Sequence, residues 1–447
     1  MRWRILLSAL LIVVGFGVLS LTYFRGFVQQ RTHGIILVIA PGISPDLLRL
    51  AELRSAQAGF RWFERSDIRL SLVDATLPPQ NQGDYPSLLS YLSTGTVGAP
   101  GHLGLDLRGK RLDNLLYAAQ RTGRLIGLVT TDRLTSPGIA AFFAHVDEAA
   151  DQRTIALQLF DSTPINIAMG GGRAVFDRLR EMGERDLFEE AQLSGYHIVT
   201  TSAELWPIEK WPPPRILGVF APDTLPSPAT RRISTEEEVP SLETMVTGAI
   251  ERLQYALRGY FLIIENHLIA EACAANRGMD AADEILALDR LMAKIREYAG
   301  TRATVILYSP FAQGGFQVLK GAPLDLSTQE SMPLYPRLVP PGSSSQPQTP
   351  PTPPALAWHN GPGGARISVP LPETPRSKRG STRKPISDPL PMPDPLQLPL
   401  EPAGFYALSA EPSTAPGLVF VSSSRMAPPR ALLRLRDLHQ LIRDQFQ

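Results

Sequence analysis

The alternation of apolar and polar positions changes character several times along the 447-residue chain. The opening "MRWRILLSALLIVVGFGVLSLTYFRGF" holds an uncharged run from Ile5 to Phe24. At about 1.5 Å per helical residue, such a run matches the roughly 30 Å of bilayer hydrocarbon. Arg2 and Arg4 precede it and favour a cytoplasmic start, although Arg25 just beyond makes the asymmetry modest. A cleaved signal peptide is the competing reading, but "SLTYF" closes the run with bulky residues instead of a small-x-small site. The expectation for residues 1–30 is a transmembrane signal anchor, single-pass in the inner (cytoplasmic) membrane. The globular part then lies in the periplasm or outside the cell.

From Gly34 the pattern switches to short apolar runs separated by amphipathic stretches. Strands are expected at "GIILVIA" (34–40), "RLIGLVT" (124–130), "INIAMGGG" (165–172), "GYFLIIE" (259–265), "ATVILYS" (303–309) and "GLVFVSS" (417–423). Helices are expected at "RLDNLLYAAQRTG" (111–123), "PSLETMVTGAIERLQYAL" (240–257), "DAADEILALDRLMAKIREYAG" (280–300) and "ALLRLRDLHQLIRDQF" (431–446). Strands alternating with helices imply an α/β protein: a mostly parallel central sheet with helices on both faces, in three layers.

That order breaks near residue 333. Between Pro333 and Pro402 lie 20 of the 42 prolines, with "GSSSQPQTPPTPP" and the basic run "RSKRGSTRK" (376–384). Such composition cannot build a packed core and predicts an extended, largely disordered insertion, a tether or spacer. Binding to anionic lipid heads or a partner's groove is the other reading of its charge. The α/β domain then spans 31–332, and 403–447 completes it with a strand and a helix.

Composition narrows the function classes. Hydrophobic residues make up 43% and charged residues 19%, enough for a large core. A net charge of +1 argues against nucleic acid as a partner. The single cysteine, Cys273, excludes an intramolecular disulfide and a Cys-based zinc site, and reads as inert packing. "MGGGRAVF" lacks the lysine and hydroxyl of a phosphate loop and reads as a tight turn. "TRRISTEEE" (230–238) reads as a solvated helix start capped by Ser234. The histidines His33, His102, His145, His197, His267, His359 and His439 show no HxH or HExxH spacing.

Several blocks in one order carry a resemblance. They are "IGLVTTDRLTSPGIAAFFAHV" (126–146), "INIAMGGGRAVF" (165–176), "GVFAPDTLP" (218–226), "PSLETM" (240–245) and "YFLIIENHLIAEACAANRGMDAADEILALD" (260–289). From about Gly34 to Gly315 the chain resembles the alkaline phosphatase family. The resemblance implies that family's three-layer α/β sandwich. It also implies a chemistry of paired zinc ions around a serine nucleophile, a supporting magnesium site and a phosphate-clamping arginine. The family commonly dimerises, so a homodimer is an implied expectation.

Carried over position by position, the ligands are missing. Pro41 stands at the first metal-binding aspartate, and Tyr85 at the serine after Asp84, with Ser87 nearby. Gly138 aligns with the magnesium-binding threonine. Ala149 aligns with the phosphate-binding arginine, with Arg153 one turn beyond. Glu265 matches the magnesium-binding glutamate, but the zinc ligands at +5 and +9 become Ala270 and Ala274. The next Asp-His pair is Pro310 and Phe311, and the last histidine falls at Pro412 or Ser413. His267 lies two residues from Glu265, either as part of a weak site or as a solvent-facing or hydrogen-bonded ring. The leading expectation is a membrane-anchored pseudo-enzyme that needs no metal and binds an unidentified protein partner or ligand, with Tyr85 and Phe311 filling the pocket. One alternative is a divergent phosphatase using Asp84, Ser87, Glu265 and His267 with Mg²⁺ or Zn²⁺. Another is a structural protein of the cell envelope.

Overall fold

The structure, a computed structural model, describes residues 2–23, 34–55, 59–77, 84–161, 165–227, 230–231, 239–275, 277–301, 303–313, 317–318, 356–357, 416–423, 426 and 429–446. The expected Pro-rich insertion and the positions Pro412 and Ser413 lie outside them, apart from one short pairing described below. So does most of 230–238, including Ser234.

The strands are β1 (Gly34–Ile39), β2 (Ile68–Asp74), β3 (Leu125–Arg133), β4 (Ile167–Gly171), β5 (Tyr196–Val199) and β6 (Arg215–Val219). They continue as β7 (Tyr260–Glu265), β8 (Thr304–Ser309), β9 (Gln317–Val318), β10 (Leu356–Ala357), β11 (Gly417–Ser422) and β12 (Leu432–Arg434). Ten of them form one sheet in the order β12-β2-β11-β8-β1-β7-β3-β4-β6-β5, while β9 and β10 pair by themselves. Within the large sheet only β11 runs antiparallel to its neighbours. β1, β7, β8 and β3 are buried along nearly their whole length, as strands covered on both faces must be.

The helices are α1 (Arg2–Tyr23), α2 (Pro45–Ser55), α3 (Tyr85–Thr94), α4 (Leu115–Arg121), α5 (Pro137–Ala140), α6 (Gln152–Asp161) and α7 (Arg173–Glu181). After them come α8 (Leu187–Leu193), α9 (Ser202–Leu205), α10 (Leu242–Leu253), α11 (Leu268–Ala274), α12 (Gly278–Ala299) and α13 (Leu435–Asp444). The period of two in β1 divides the core. Ile35, Leu37 and Ile39 pack with α3, α4, α6 and α13 on one face. Ile36 and Val38 pack with α2, α10, α11 and α12 on the other. The three layers expected from the sequence are therefore present.

The structure adds elements that the sequence pattern did not mark, among them β2, β5, β6, α2 and α6, and shifts the ends of several that it did. The helix expected over 111–123 starts only at Leu115, because Asn114 caps it by accepting the Tyr117 N–H at 2.9 Å. The helix expected from 280 begins at Gly278. The stretch expected as helix from 431 first runs as β12 beside β2, whose free edge it covers. Of the "MGGG" segment, Met169 to Gly171 finish β4 and only Gly172 turns, at φ 93, to open α7. Cys273 is fully buried. At the N-terminus α1 exists as a 22-residue helix that exposes Leu10, Leu11, Ile12, Val13 and Phe16. Among the described residues, however, no helix is long and apolar enough to cross a membrane, so the expected span is unconfirmed.

One glycine fixes the approach of two layers. Gly42, in the loop after β1, has φ 102, and a Cβ there would lie 2.9 Å from the Cα of Ala270 at the start of α11. Gly42→Val is expected to lower stability by about 2 kcal/mol or more, through backbone strain and collision together. Urea denaturation of the variant against the wild type measures it.

Candidate functional site

Parallel strands deliver their following loops to a common edge. The adjacent strands β8, β1, β7 and β3 end at Ser309, Ile39, Glu265 and Arg133, so the residues after them share one crevice at the carboxyl ends. Glu265, the last residue of β7, is fully buried there. Thr130 of β3 lies directly beside it in the ladder and donates its hydroxyl to Glu265 Oε2 at 2.8 Å. Tyr85, the first residue of α3, donates its phenol to Glu265 Oε1 at 2.9 Å. The Ser136 hydroxyl, just before α5, lies 3.5 Å from Oε2.

Aromatic rings close the crevice over this carboxyl. Tyr85 meets Phe311 edge-to-face with centroids 5.5 Å apart, and His267 in tilted contact at 6.1 Å. The His267 backbone N–H donates to the Thr131 hydroxyl at 2.9 Å, which fixes the start of α11 to β3. Burial pushes the Glu265 carboxyl above its ordinary pKa, and Asp132 nearby adds to the rise. His267 and the hydroxyls of Thr130 and Tyr85 oppose it. Burial, and then the Glu265 charge, push the Tyr85 phenol well above its own. The phenol thus stays protonated at neutral pH, as a donor to the carboxyl.

Asp84 and Ser87 form a separate unit. Asp84 is the N-cap of α3, accepting the Ser87 backbone N–H at 3.3 Å and the Gly101 N–H at 2.8 Å. The buried Ser87 hydroxyl also donates to Asp84. Helix geometry explains the separation, since Ser87 lies on the first turn behind the cap while Tyr85 points its ring at β7.

Comparison with known proteins follows this geometry. Residues 90–311 match the alkaline phosphatase family model. Alkaline phosphatase 4 of Bacillus subtilis is 27% identical over 263 residues, covering 57% of this chain and 55% of its own length. The repressible alkaline phosphatase of Saccharomyces cerevisiae is 29% identical over 322 residues, covering 64% and 56%. Among solved structures, alkaline phosphatase from Thermus thermophilus superposes with a TM-score of 0.65 at 18% identity, covering 93% of this chain and 91% of that one. That from the Antarctic bacterium TAB5 gives 0.63 at 15% identity, covering 94% and 99%. The chain belongs to the alkaline phosphatase family. It spans about half the length of the curated relatives it matches.

Of the positions aligned with the alkaline phosphatase ligand pattern, Tyr85, Gly138 and Glu265 meet at the crevice, and most of the aligned residues carry no ligand atom. Pro41 and Pro310 are buried after β1 and β8, and Phe311 is a ring in the crevice. Ala270 is buried under Gly42, while Ala274 is exposed at the end of α11. Ala149 is buried and donates its N–H to Gly101 at 2.8 Å. Arg153 pairs with Glu184 at 2.6 Å. At Gly138 a Cβ would lie 1.7 Å from Glu265 Oε1, so the carboxyl lies where a threonine side chain would begin. Among the described residues, no group of three or more His, Cys, Asp or Glu side chains is placed to hold a metal ion. The residues present do not fit a paired-zinc site.

Sequence reasoning missed Thr130, Ser136 and Glu284. The Thr-Thr pair was visible, but only the register of β3 on β7 shows which hydroxyl meets Glu265. Glu284, on α12, lines a cavity of about 280 Å³ with Thr131, Asn266, Leu268, Leu288 and Leu291. Burial raises its pKa to about 7, with Asp280, Asp283 and Glu271 adding and Asn266 opposing.

Two outcomes follow for these carboxyls. Tyr85→Phe leaves Glu265 Oε1 short of its donor, and a loss of about 1–3 kcal/mol is expected in denaturant unfolding. Glu284 binds its proton more tightly folded than unfolded, so its contribution is full below pH about 4.5 and fades as pH rises through about 7. Glu284→Gln should therefore match the wild type near pH 4 and exceed it above pH 8, by on the order of 3 kcal/mol. Thermal unfolding at both pH values checks the sign.

Proposed function

We propose that this chain is a member of the alkaline phosphatase family that acts by binding a partner or ligand and not by hydrolysing phosphate esters. The observation that carries this reading is the hydrogen bond from Tyr85 to Glu265 at 2.9 Å. In this reading Tyr85 stands at the aligned nucleophile position, and its phenol is held on Glu265, the one aligned ligand position that keeps a carboxyl. Phe311 packs edge-to-face against the ring, and in this reading the two rings fill the crevice over Glu265. The protein needs no metal in this reading, because the two apolar layers on either side of the sheet hold the fold.

The same proposal places the body outside the cytoplasm, held by α1 in the cytoplasmic membrane. The exposed apolar side chains of α1 support this, as does its separation from β1 by only ten residues, 24–33. A homodimer is compatible with the family and is part of no step here. A second reading, a divergent phosphatase, draws on the closeness of Asp132 and His267 to Glu265, which the carboxyl senses electrostatically.

Metal content separates the two. The full chain, purified in detergent, is incubated with Zn²⁺ and Mg²⁺, dialysed exhaustively and subjected to elemental analysis. Metal at no more than trace level is expected, together with phosphomonoesterase activity that Glu265→Ala leaves at background. Stoichiometric zinc, or turnover abolished by Glu265→Ala, overturns the proposal.

A further inference from the structure

We propose that the cavity beside Glu284 is a binding site for a small primary amine with a branched apolar body. It is walled by α10, α11 and α12, on the face of the sheet opposite the α3 layer, and its volume is about 280 Å³. That space suits a ligand of roughly ten non-hydrogen atoms, at the small end of ligand pockets.

Most of its wall is apolar, with Leu225, Leu242, Leu268, Leu288 and Leu291 among the lining residues. Three polar side chains are buried in the wall, Thr131, Asn266 and Glu284, and of these only Glu284 is ionisable. It is 5% exposed, and its Oε1 has no hydrogen-bond partner, while Asn266 bonds the side chain elsewhere. A buried carboxyl oxygen with an empty acceptor site costs free energy unless a donor reaches it. The other charges at the cavity are already engaged or lie at its rim. The Arg231 guanidinium donates to the carbonyls of Pro226, Val239 and Pro240. Glu243 pairs with Lys294, and Arg290 is exposed. A lone carboxylate in an apolar pocket selects a cation able to donate hydrogen bonds. An ammonium head supplies both the charge and the donors, and the leucine side chains accept a branched hydrocarbon. This assignment rests neither on the anchor nor on the loss of catalysis.

The test uses 3-methylbutylamine and its alcohol isostere, 3-methylbutanol, titrated calorimetrically into the full chain in detergent. Saturable binding of the amine is expected, with the alcohol weaker by roughly tenfold or more. Glu284→Gln, which keeps shape and removes charge, should abolish the preference. Leu288→Trp should fill the cavity and prevent binding of both, with circular dichroism confirming that each variant is folded. No saturable binding to the wild type, equal binding of amine and alcohol, or amine binding unchanged in Glu284→Gln overturns the proposal.

Discussion

A carboxyl taken fully out of water must find hydrogen-bond donors or stay protonated, and at Glu265 the surrounding chain is arranged around that requirement. Its partners come from three separate elements: Thr130 from β3, Tyr85 from α3 and Ser136 from the turn into α5. Binding them to one acceptor joins the sheet to its helical layer at the crevice. The requirement propagates outward. Gly138 can carry no side chain because the carboxyl lies against its Cα, and Tyr85 must present an aromatic ring that Phe311 then packs. In a metal-binding relative the same carboxylate would be neutralised by a cation. Here hydroxyl dipoles do that work, with weaker and more local fields.

Much of the architecture was legible because strand burial writes itself as uninterrupted apolar runs. Ile35 to Ile39 and Phe261 to Ile264 read as doubly covered strands, and they are. The departures from the family's ligand residues are visible in the sequence itself, since alanine, proline and phenylalanine carry no ligand atom on their side chains. The arrangement that replaces those ligand residues is not. Tyr85 and Glu265 are 180 residues apart, and nothing local in "GDYPS" says that the phenol meets a strand end on another element. Edge strands such as β12 escape the pattern for a related reason: three residues with one buried side chain show no period. Glu284 escaped because a single carboxyl on a long amphipathic helix normally marks its solvent face.

The family fold and the departures from the family's ligand residues are compatible because they are encoded in different residues. Fold depends on two apolar layers on either side of β1, β7, β3 and β8, and those layers include none of the Tyr85–Glu265 contacts as their cohesive element. A crevice residue can therefore change from ligand to proline or alanine at little cost to the core. What cannot change freely is a position where backbone meets backbone, as Gly42 meets Ala270.

The polarity of the parallel strands gives the molecule two poles. Chain arriving from α1 enters the sheet at Gly34, the amino end of β1, whereas Pro41, Glu265, Pro310 and Phe311 all follow carboxyl ends. Six residues at about 3.3 Å each put roughly 20 Å of solid sheet between entry point and crevice. Chain entry and crevice thus occupy opposite ends of the sheet by construction. A change in the length of chain ahead of Gly34 would therefore leave unaltered which end of the sheet carries the crevice.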